Sequence, residues 1–180
     1  AEHQAACGIG WFRITTDYKS DTSFDQEVRI KAVRNPLSVY DDPGAIEPDR
    51  SDAMWRAVVE VWPLSSFKRA WPKASPTSVD IPTSDETASS MHWTTADTVR
   101  VAEYWRKVPE TIELAYMEDG STINLSEITD EQRMFLPPPV SVREHKTHRL
   151  EMYMVTGNQV LSGPHTWPGR LIPIVPVIGG

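Results

Sequence analysis

Two segments decide how the chain folds: Ala53–Trp62 (AMWRAVVEVW) and Thr98–Lys107 (TVRVAEYWRK). The first suits a helix or a strand, but tryptophan and valine recur in it and Pro63 follows it, so we predict a strand. The second also combines β-branched and aromatic residues. We expect it to form consecutive antiparallel strands with Thr111–Met117, the next segment of this composition.

Most of the remaining chain also has strand character. Glu27–Val33 alternates, with Val28 and Ile30 facing one way and Arg29 and Lys31 the other, which is typical of a half-buried strand. The final apolar run contains two prolines, which fits a sheet edge or a buried polyproline-like pass. The further predicted strands or extended segments are Gly8–Tyr18, Leu37–Tyr40, Thr122–Leu125, Ser141–Thr156, Gln159–Leu161 and Leu171–Ile178.

Helices and loops complete the predicted architecture. Ser65–Trp71 indicates a short helix that Pro72 stops. Thr129 and Gln132 have the spacing of a capping box, which predicts a second short helix ending near Leu136. Residues 73–97 are rich in Ser, Thr, Pro and Asp and predict a mobile insertion. We therefore expect an α+β fold over residues 1–180: one mainly antiparallel β-rich domain with two short helices and one long exposed loop.

Composition limits the possible functions. The 180 residues include 15 prolines and 7 tryptophans and carry a net charge of −7, which is unfavourable for a phosphate-binding surface. Cys7 is the single cysteine, so the chain has no intrachain disulfide and no thiolate metal site. The longest apolar run is far shorter than the roughly 20 residues of a membrane helix. The chain starts at Ala1 and stops after an apolar run, and we expect it to be a fragment of a longer protein.

The candidate chemical motifs all have simpler structural interpretations. Gly8-Ile9-Gly10 lacks the third glycine of a dinucleotide fingerprint and is better explained as a strand start. His145 and His148 lie three apart in a predicted strand, so their rings point to opposite faces and cannot chelate one ion. His92 falls in the loop and His165 follows a Gly-Pro turn. Cys7 resembles a small buried hydrophobe.

Charged and aromatic clusters are interpreted in the same way. Asp41-Asp42, Asp49, Asp52 and Glu118-Asp119 lie in turns, where aspartate hydrogen-bonds to the backbone. The basic run Arg143–Arg149 is interrupted by Glu144, as on a solvated strand face. In Trp11-Phe12 and Tyr104-Trp105, neighbouring rings point to opposite sheet faces, so at most one ring of each pair could join a base-stacking platform, and we predict core packing. We therefore predict no catalytic, cofactor-binding or metal-binding residue, no cofactor and no enzymatic activity.

An ordered set of segments that spans nearly the whole chain matches a known family. Val99–Arg106 is the most specific block. The other blocks are Gly8–Trp11, Thr16–Tyr18, Phe24–Gln26, Arg29-Ile30, Arg34–Pro36, Val39–Pro43, Phe67-Lys68 with Trp71-Pro72, and Leu161–Pro164 through Trp167–Gly169 to Ile172–Val177. Together these blocks resemble the portal proteins of short-tailed, lambdoid-type bacteriophages. Trp71 stands where tyrosine is usual in that family, and Ala74–Ser90 has no counterpart in it.

The resemblance implies a structural role in a phage or prophage. Portals of this family are homododecameric rings at one capsid vertex, through which double-stranded DNA passes without sequence-specific binding during packaging and ejection. Their partners are the terminase, capsid or scaffold proteins and tail adaptors, and they bind no membrane. The chain resembles the wing region, located in the virion or, during assembly, in the host cytoplasm. In the family, ring closure draws on helices outside this region, so we expect the chain alone to be a monomer or weak oligomer.

Two other functions stay open at the level of sequence. One is a β-rich protein-binding module, which an exposed sheet edge near Leu171–Ile178 would favour. The other is a hydrolase whose histidines and aspartates come together only in the fold. A pocket holding two of His92, His145, His148 and His165 with a carboxylate would favour the hydrolase.

Overall fold

The computed structural model describes residues 8–76 and 94–178. In these ranges the chain forms nine strands, two short α-helices and two single-turn 3-10 helices at Pro36–Ser38 and Leu125–Glu127. The predicted α+β class is confirmed. The elements in chain order are β1 (Ile9–Tyr18), β2 (Gln26–Ala32), β3 (Val39–Asp41), β4 (Trp55–Pro63), α1 (Leu64–Ala70), β5 (Thr98–Tyr116), β6 (Thr122–Asn124), α2 (Asp130–Met134), β7 (Ser141–Val155), β8 (Val160–Trp167) and β9 (Ile174–Ile178).

The strands form two sheets. One has three strands in the order β2-β1-β9, and the other has the order β3-β4-β5-β7-β8 with β6 added beside β5. Antiparallel pairing joins β1 to both β2 and β9, β3 to β4, β4 to β5, β5 to β6, and β7 to β8. The predicted dominance of antiparallel pairing is therefore confirmed. The extended segment near the C-terminus supplies β9, an edge strand of the three-stranded sheet.

The fold divides into two compact units. The first contains the chain up to Arg106 together with the chain from Leu150 onward, and the second is Lys107–Arg149. Strands β5 and β7 each run from one unit into the other. The predicted insertion at 73–97 lies largely outside the described residues. None of the helices in the described part of the chain is both long and apolar enough to cross a membrane.

Two apolar clusters fill the first unit. One joins the two sheets and contains Trp11 of β1, Val58 of β4, Trp105 of β5, Leu150 of β7 and Ile174 of β9, all buried. In the other cluster, helix α1 covers the larger sheet: Phe67 packs on Val99 and Val101, with Trp62 and Trp71 at its border. The helix ends beside Pro72, where Trp71 donates its backbone N–H to the carbonyl of Phe67.

Arg56 on β4 is buried between the two sheets, with only 2% of its surface exposed. Its Nε donates to Asp41 Oδ1 on β3 at 2.7 Å, and its Nη1 donates to the backbone carbonyl of Ile174 on β9. The guanidinium also stacks over the ring of Trp11, 4.8 Å from its centroid. One side chain therefore connects four strands of the first unit, and a buried guanidinium requires such partners because its charge has lost its water.

We expect Arg56→Ala to lower the free energy of unfolding by about 3–5 kcal/mol, because it removes the nearer partner of the Asp41 carboxylate in the interior and leaves only the longer contact with Arg50 at 3.8 Å. Urea unfolding at neutral pH measures the change. Arg29→Ala is the control: Arg29 pairs with Glu27 on a half-exposed strand face, and its loss should cost at most about 1 kcal/mol. Equal losses in the two variants would contradict the central role of Arg56.

The second unit is built around the distal half of β5. Ala115 and Met117 are buried there, and β6 pairs with β5 through Ala115 and Ile123. The predicted capping box is confirmed: Thr129 Oγ1 accepts the N–H of Gln132, and Gln132 Oε1 accepts the N–H of Thr129. Helix α2 ends at Met134, two residues before the predicted end near Leu136.

Two sequence predictions are wrong. Thr98–Lys107 and Thr111–Met117 are not two antiparallel strands but parts of the single 19-residue strand β5. The intervening residues 108–110 (Val-Pro-Glu) offer no turn-forming glycine, asparagine or aspartate, and a proline in a strand removes only one ladder donor. The second error concerns β2: Val28 and Ile30 share a face as predicted, but each is 69% exposed, and the charged face is the one turned inward.

Candidate functional site

The aspartates of the loop after β3 hold its turns together. Asp42 accepts the backbone N–H groups of Gly44 and Met54, at 2.9 Å each. Asp52 accepts those of Ile46 and Glu47. These backbone donors hold the pKa of both carboxyls below the ordinary value of 3.8, as does the backbone N–H of Ser51 at Asp49. At Asp119 the hydroxyl of Ser121, together with its backbone N–H, lowers the pKa. The prediction that turn carboxylates bond to backbone is confirmed for these four residues.

We expect the stability of the chain to fall in acid, in part through Asp42. Because its folded pKa lies below 3.8, its contribution is complete above the ordinary value and is lost as the pH falls through the folded value. Asp42→Asn should therefore reduce both the stability at pH 7 and the loss of stability on acidification. Urea unfolding from pH 7 to pH 3 measures this, and an unchanged pH dependence in the variant would contradict it.

The histidines do not assemble into one site within the described residues. His145 and His148 lie on β7 in the second unit, in the strand conformation that separates their rings. His165 lies on β8 in the first unit, where its Nε2 and Ser162 Oγ are 2.5 Å apart. His92 and Cys7 fall outside the described residues. In residues 8–76 and 94–178 we find no group of three or more His, Cys, Asp or Glu placed to hold a metal ion.

The contact between Ser162 and His165 resembles part of a hydrolase site. A nucleophilic serine needs a base that a third group orients and a water-excluded site in which an oxyanion is stabilised. Here the pair lies exposed on β8, next to the positive φ of 116° at Gly163. This solvated hydrogen bond gives the alternative of a hydrolase little support.

The aromatic pairs adopt the alternation that the sequence predicted. Trp11 and Trp105 point into the first apolar cluster and are 7% and 5% exposed. Tyr104 lies on the opposite face of β5, where it meets Trp55 of β4 at 6.3 Å between ring centroids. The glycine pair Gly8 and Gly10 lies at the start of β1 and opens no helix.

A polar network on the first unit was missed by the sequence analysis. Arg106 donates through Nε and Nη2 to Glu151 Oε2, at 3.1 and 2.9 Å, and Tyr153 donates its hydroxyl to the same oxygen at 2.7 Å. This bond to Glu151 holds the pKa of Tyr153 above its ordinary value of 10.0. The three residues fix neighbouring strands β5 and β7 to each other. Arg106 and Glu151 are 45 residues apart in the sequence, so no local sequence pattern predicts that they pair.

The three-stranded sheet presents an unusual exposed face. Residues opposite each other on neighbouring strands share a face, and the register places Ile30 opposite Ile14, and Phe12 opposite both Ala32 and Val175. Val28 and Val177 fall on the same side. We call this set the outer face: Phe12, Ile14, Val28, Ile30, Val175 and Val177.

The charges of β1 and β2 lie on the opposite side, toward the larger sheet, where the side chains of Asp17, Glu27 and Arg29 remain 42–48% exposed. There Arg29 pairs with Glu27 at 2.7 Å and with Asp17 at 3.8 Å. Arg13 reaches Glu103 of the larger sheet at 2.9 Å. The amphipathic pattern of β2 is therefore inverted relative to an ordinary surface strand, in which the apolar face packs on the core.

A second apolar surface lies on the second unit, after α2. Met134 and Phe135 are 84% and 90% exposed, and Val140 and Val142 are also exposed. The intervening Pro137-Pro138-Pro139 keeps this segment extended, because proline fixes φ and restricts the residue before it. Both surfaces are suited to contact with other protein and offer no group for bond-making chemistry.

Comparison with known proteins identifies relatives of the chain. A model of the family described as Phage P22-like portal protein matches residues 1–180. Among curated proteins, the chain is 24% identical over 184 residues to the "Portal protein" of Acyrthosiphon pisum secondary endosymbiont phage 1. The match covers 96% of this chain and 25% of that relative, so the chain spans about a quarter of its length. These findings confirm the resemblance noted in the sequence.

Proposed function

Because the chain belongs to the Phage P22-like portal protein family, we propose that it is a structural, non-catalytic part of the portal ring of a phage or prophage. The observation that carries this proposal is the family match over all 180 residues. The geometry is compatible with it: the turn carboxylates bond to backbone and the core-facing tryptophans are buried, while large apolar side chains are left exposed for contact with protein.

In this proposal the chain is the wing region of a longer polypeptide, forming one β-rich body with an insertion near residues 73–97. The covered fraction of the curated relative supports a longer polypeptide. The full-length protein forms a homododecameric ring at the portal vertex of the virion, after assembly in the host cytoplasm. It docks the terminase, capsid or scaffold proteins and tail adaptors. Double-stranded DNA passes through the ring during packaging and ejection, without base-specific contacts or a cofactor.

We expect the full-length polypeptide that contains residues 1–180 to assemble into a closed ring of twelve copies. Native mass spectrometry and negative-stain electron microscopy measure the copy number. The 180-residue chain alone is the control, and light scattering should find a monomer or weak oligomer because ring closure draws on parts outside it. A full-length protein that stays monomeric would contradict the proposal, and a stable twelvefold ring of the 180-residue chain would contradict the expectation for the control.

We also expect the intact ring to release DNA readily at low salt. The chain has 25 acidic against 18 basic residues, and an excess of negative charge repels the phosphates of passing DNA. A filter-retention assay with linear double-stranded DNA at about 50 mM salt, within the range where phosphate contacts act strongly, measures this release. Tight retention of DNA under these conditions would contradict the repulsive role of the acidic surface.

The protein-binding module stays a second candidate because of the outer face and the segment from Met134 to Val142. Both surfaces expose apolar side chains that a binding partner would cover. A portal component also requires such surfaces, so the two functions differ in whether the partner is another part of the portal assembly.

A further inference from the structure

Within residues 8–76 and 94–178, the outer face of the three-stranded sheet keeps large apolar side chains exposed. Its six large side chains are all aliphatic or aromatic, and Val28 and Ile30 are 69% exposed. A sheet with an apolar face is stable in a domain when another layer of structure covers that face. The pairing register puts Val28 and Ile30 on one face of β2, as the alternation in the sequence predicts.

We propose that one amphipathic helix, from portal polypeptide outside residues 1–180, packs on the outer face. This inference rests on the proposed function, in which the chain is part of a longer portal protein. Three quarters of the curated relative lie outside the region of the match, so there is ample polypeptide to supply this helix. An intrachain cover also needs no encounter with a separate molecule, since a tethered segment docks intramolecularly, at an effective concentration near the millimolar range for short flexible linkers.

The dimensions of the face fit a single helix. The pairing is staggered: β9 pairs with β1 over Ile9–Arg13 and β2 pairs with it over Phe12–Tyr18, so the face is a diagonal band. Two strand axes lie about 4.8 Å apart at most positions and three span about 10 Å beside Phe12 and Arg13, no wider than the 10–12 Å diameter of one helix with its side chains. Along β1 the face extends from Gly10 to Thr16, six residue steps or about 20 Å. A helix of about 13 residues covers that length.

The distribution of charge favours a permanent cover over a transient partner. The acidic and basic side chains of β1 and β2 are engaged on the inner side, through the pairs of Asp17 and Glu27 with Arg29 and of Arg13 with Glu103. The outer face has no charge with which to steer or select a separate partner. Interfaces of this apolar composition are typical of obligate contacts, which resemble a domain core. We therefore expect the helix to present an apolar stripe with the 3.6-residue period.

A photo-crosslinking amino acid at position 30 of the full-length protein tests the proposal. Ile30→benzoylphenylalanine should yield, on irradiation, an adduct that migrates as one polypeptide on a denaturing gel. Peptide mass spectrometry should place its second end in one segment outside residues 1–180 with helical apolar periodicity. The same probe at Arg29, which points to the opposite face, is the matched control and should crosslink within residues 1–180.

Two outcomes would overturn the proposal. An adduct with the mass of two subunits would mean that a neighbouring copy covers the face, and absence of an adduct at position 30 would mean that solvent does. Either result leaves the portal function standing if the unmodified full-length protein forms its ring. Failure of the ring in native mass spectrometry is a separate result and contradicts the proposed function itself.

A paired substitution gives a second readout. Val28→Thr with Ile30→Thr keeps β-branched side chains but removes apolar surface. In the 180-residue chain the melting temperature should change by no more than about 2 °C, because exposed substitutions have small effects. In the full-length protein, cleavage of the covering segment by a protease at low concentration should be at least ten times faster than in the parent. Equal cleavage rates would count against the helix.

Discussion

The first unit depends on the burial of one charged side chain. Arg56 bonds to Asp41, to the carbonyl of Ile174 and to the ring of Trp11, so a single guanidinium fixes β3, β4, β9 and β1 relative to one another. An apolar side chain at this position would fill the space but could not satisfy the carbonyl of Ile174. The requirement for directed bonds explains why an interior otherwise filled by tryptophan, valine and leucine contains a charge.

Arg13 of β1 also links the three-stranded sheet to the larger sheet. Its guanidinium contacts Glu103 and Glu60 of the larger sheet, at 2.9 and 3.6 Å. With Arg56, it makes the inner side of the three-stranded sheet partly ionic, while the aromatic cluster fills the space around Trp11. Directional contacts thus position the small sheet against the large one, and apolar burial supplies most of the free energy. The outer face takes no part in these directional contacts or in the apolar burial between the two sheets.

Local periodicity predicted most strands and both helices, because alternation and capping signals are contained within a few residues. The sequence analysis divided β5 into two strands at residues 108–110, where the structure has no break. The effect of Pro109 depends on whether a turn can form beside it, and the flanking valine and glutamate form none. The burial of Arg56 and the Arg106–Glu151 bond had no sequence signal, since both depend on partners far along the chain. Alternation also reveals which side chains of β2 share a face, but not which face the core covers.

The inverted polarity of β2 has a consequence for how the protein folds. The contacts that join the small sheet to the large one lie on its inner side, in the pair of Arg13 with Glu103, the bond of Arg56 to the Ile174 carbonyl and the packing of Trp11. The sheet can therefore reach its place without any cover on Val28 or Ile30. When a helix docks later, the apolar surface is already formed, so only the helix loses conformational entropy on docking. The separation of the orienting contacts from the docking surface lets this part of a long polypeptide fold before the rest is in place.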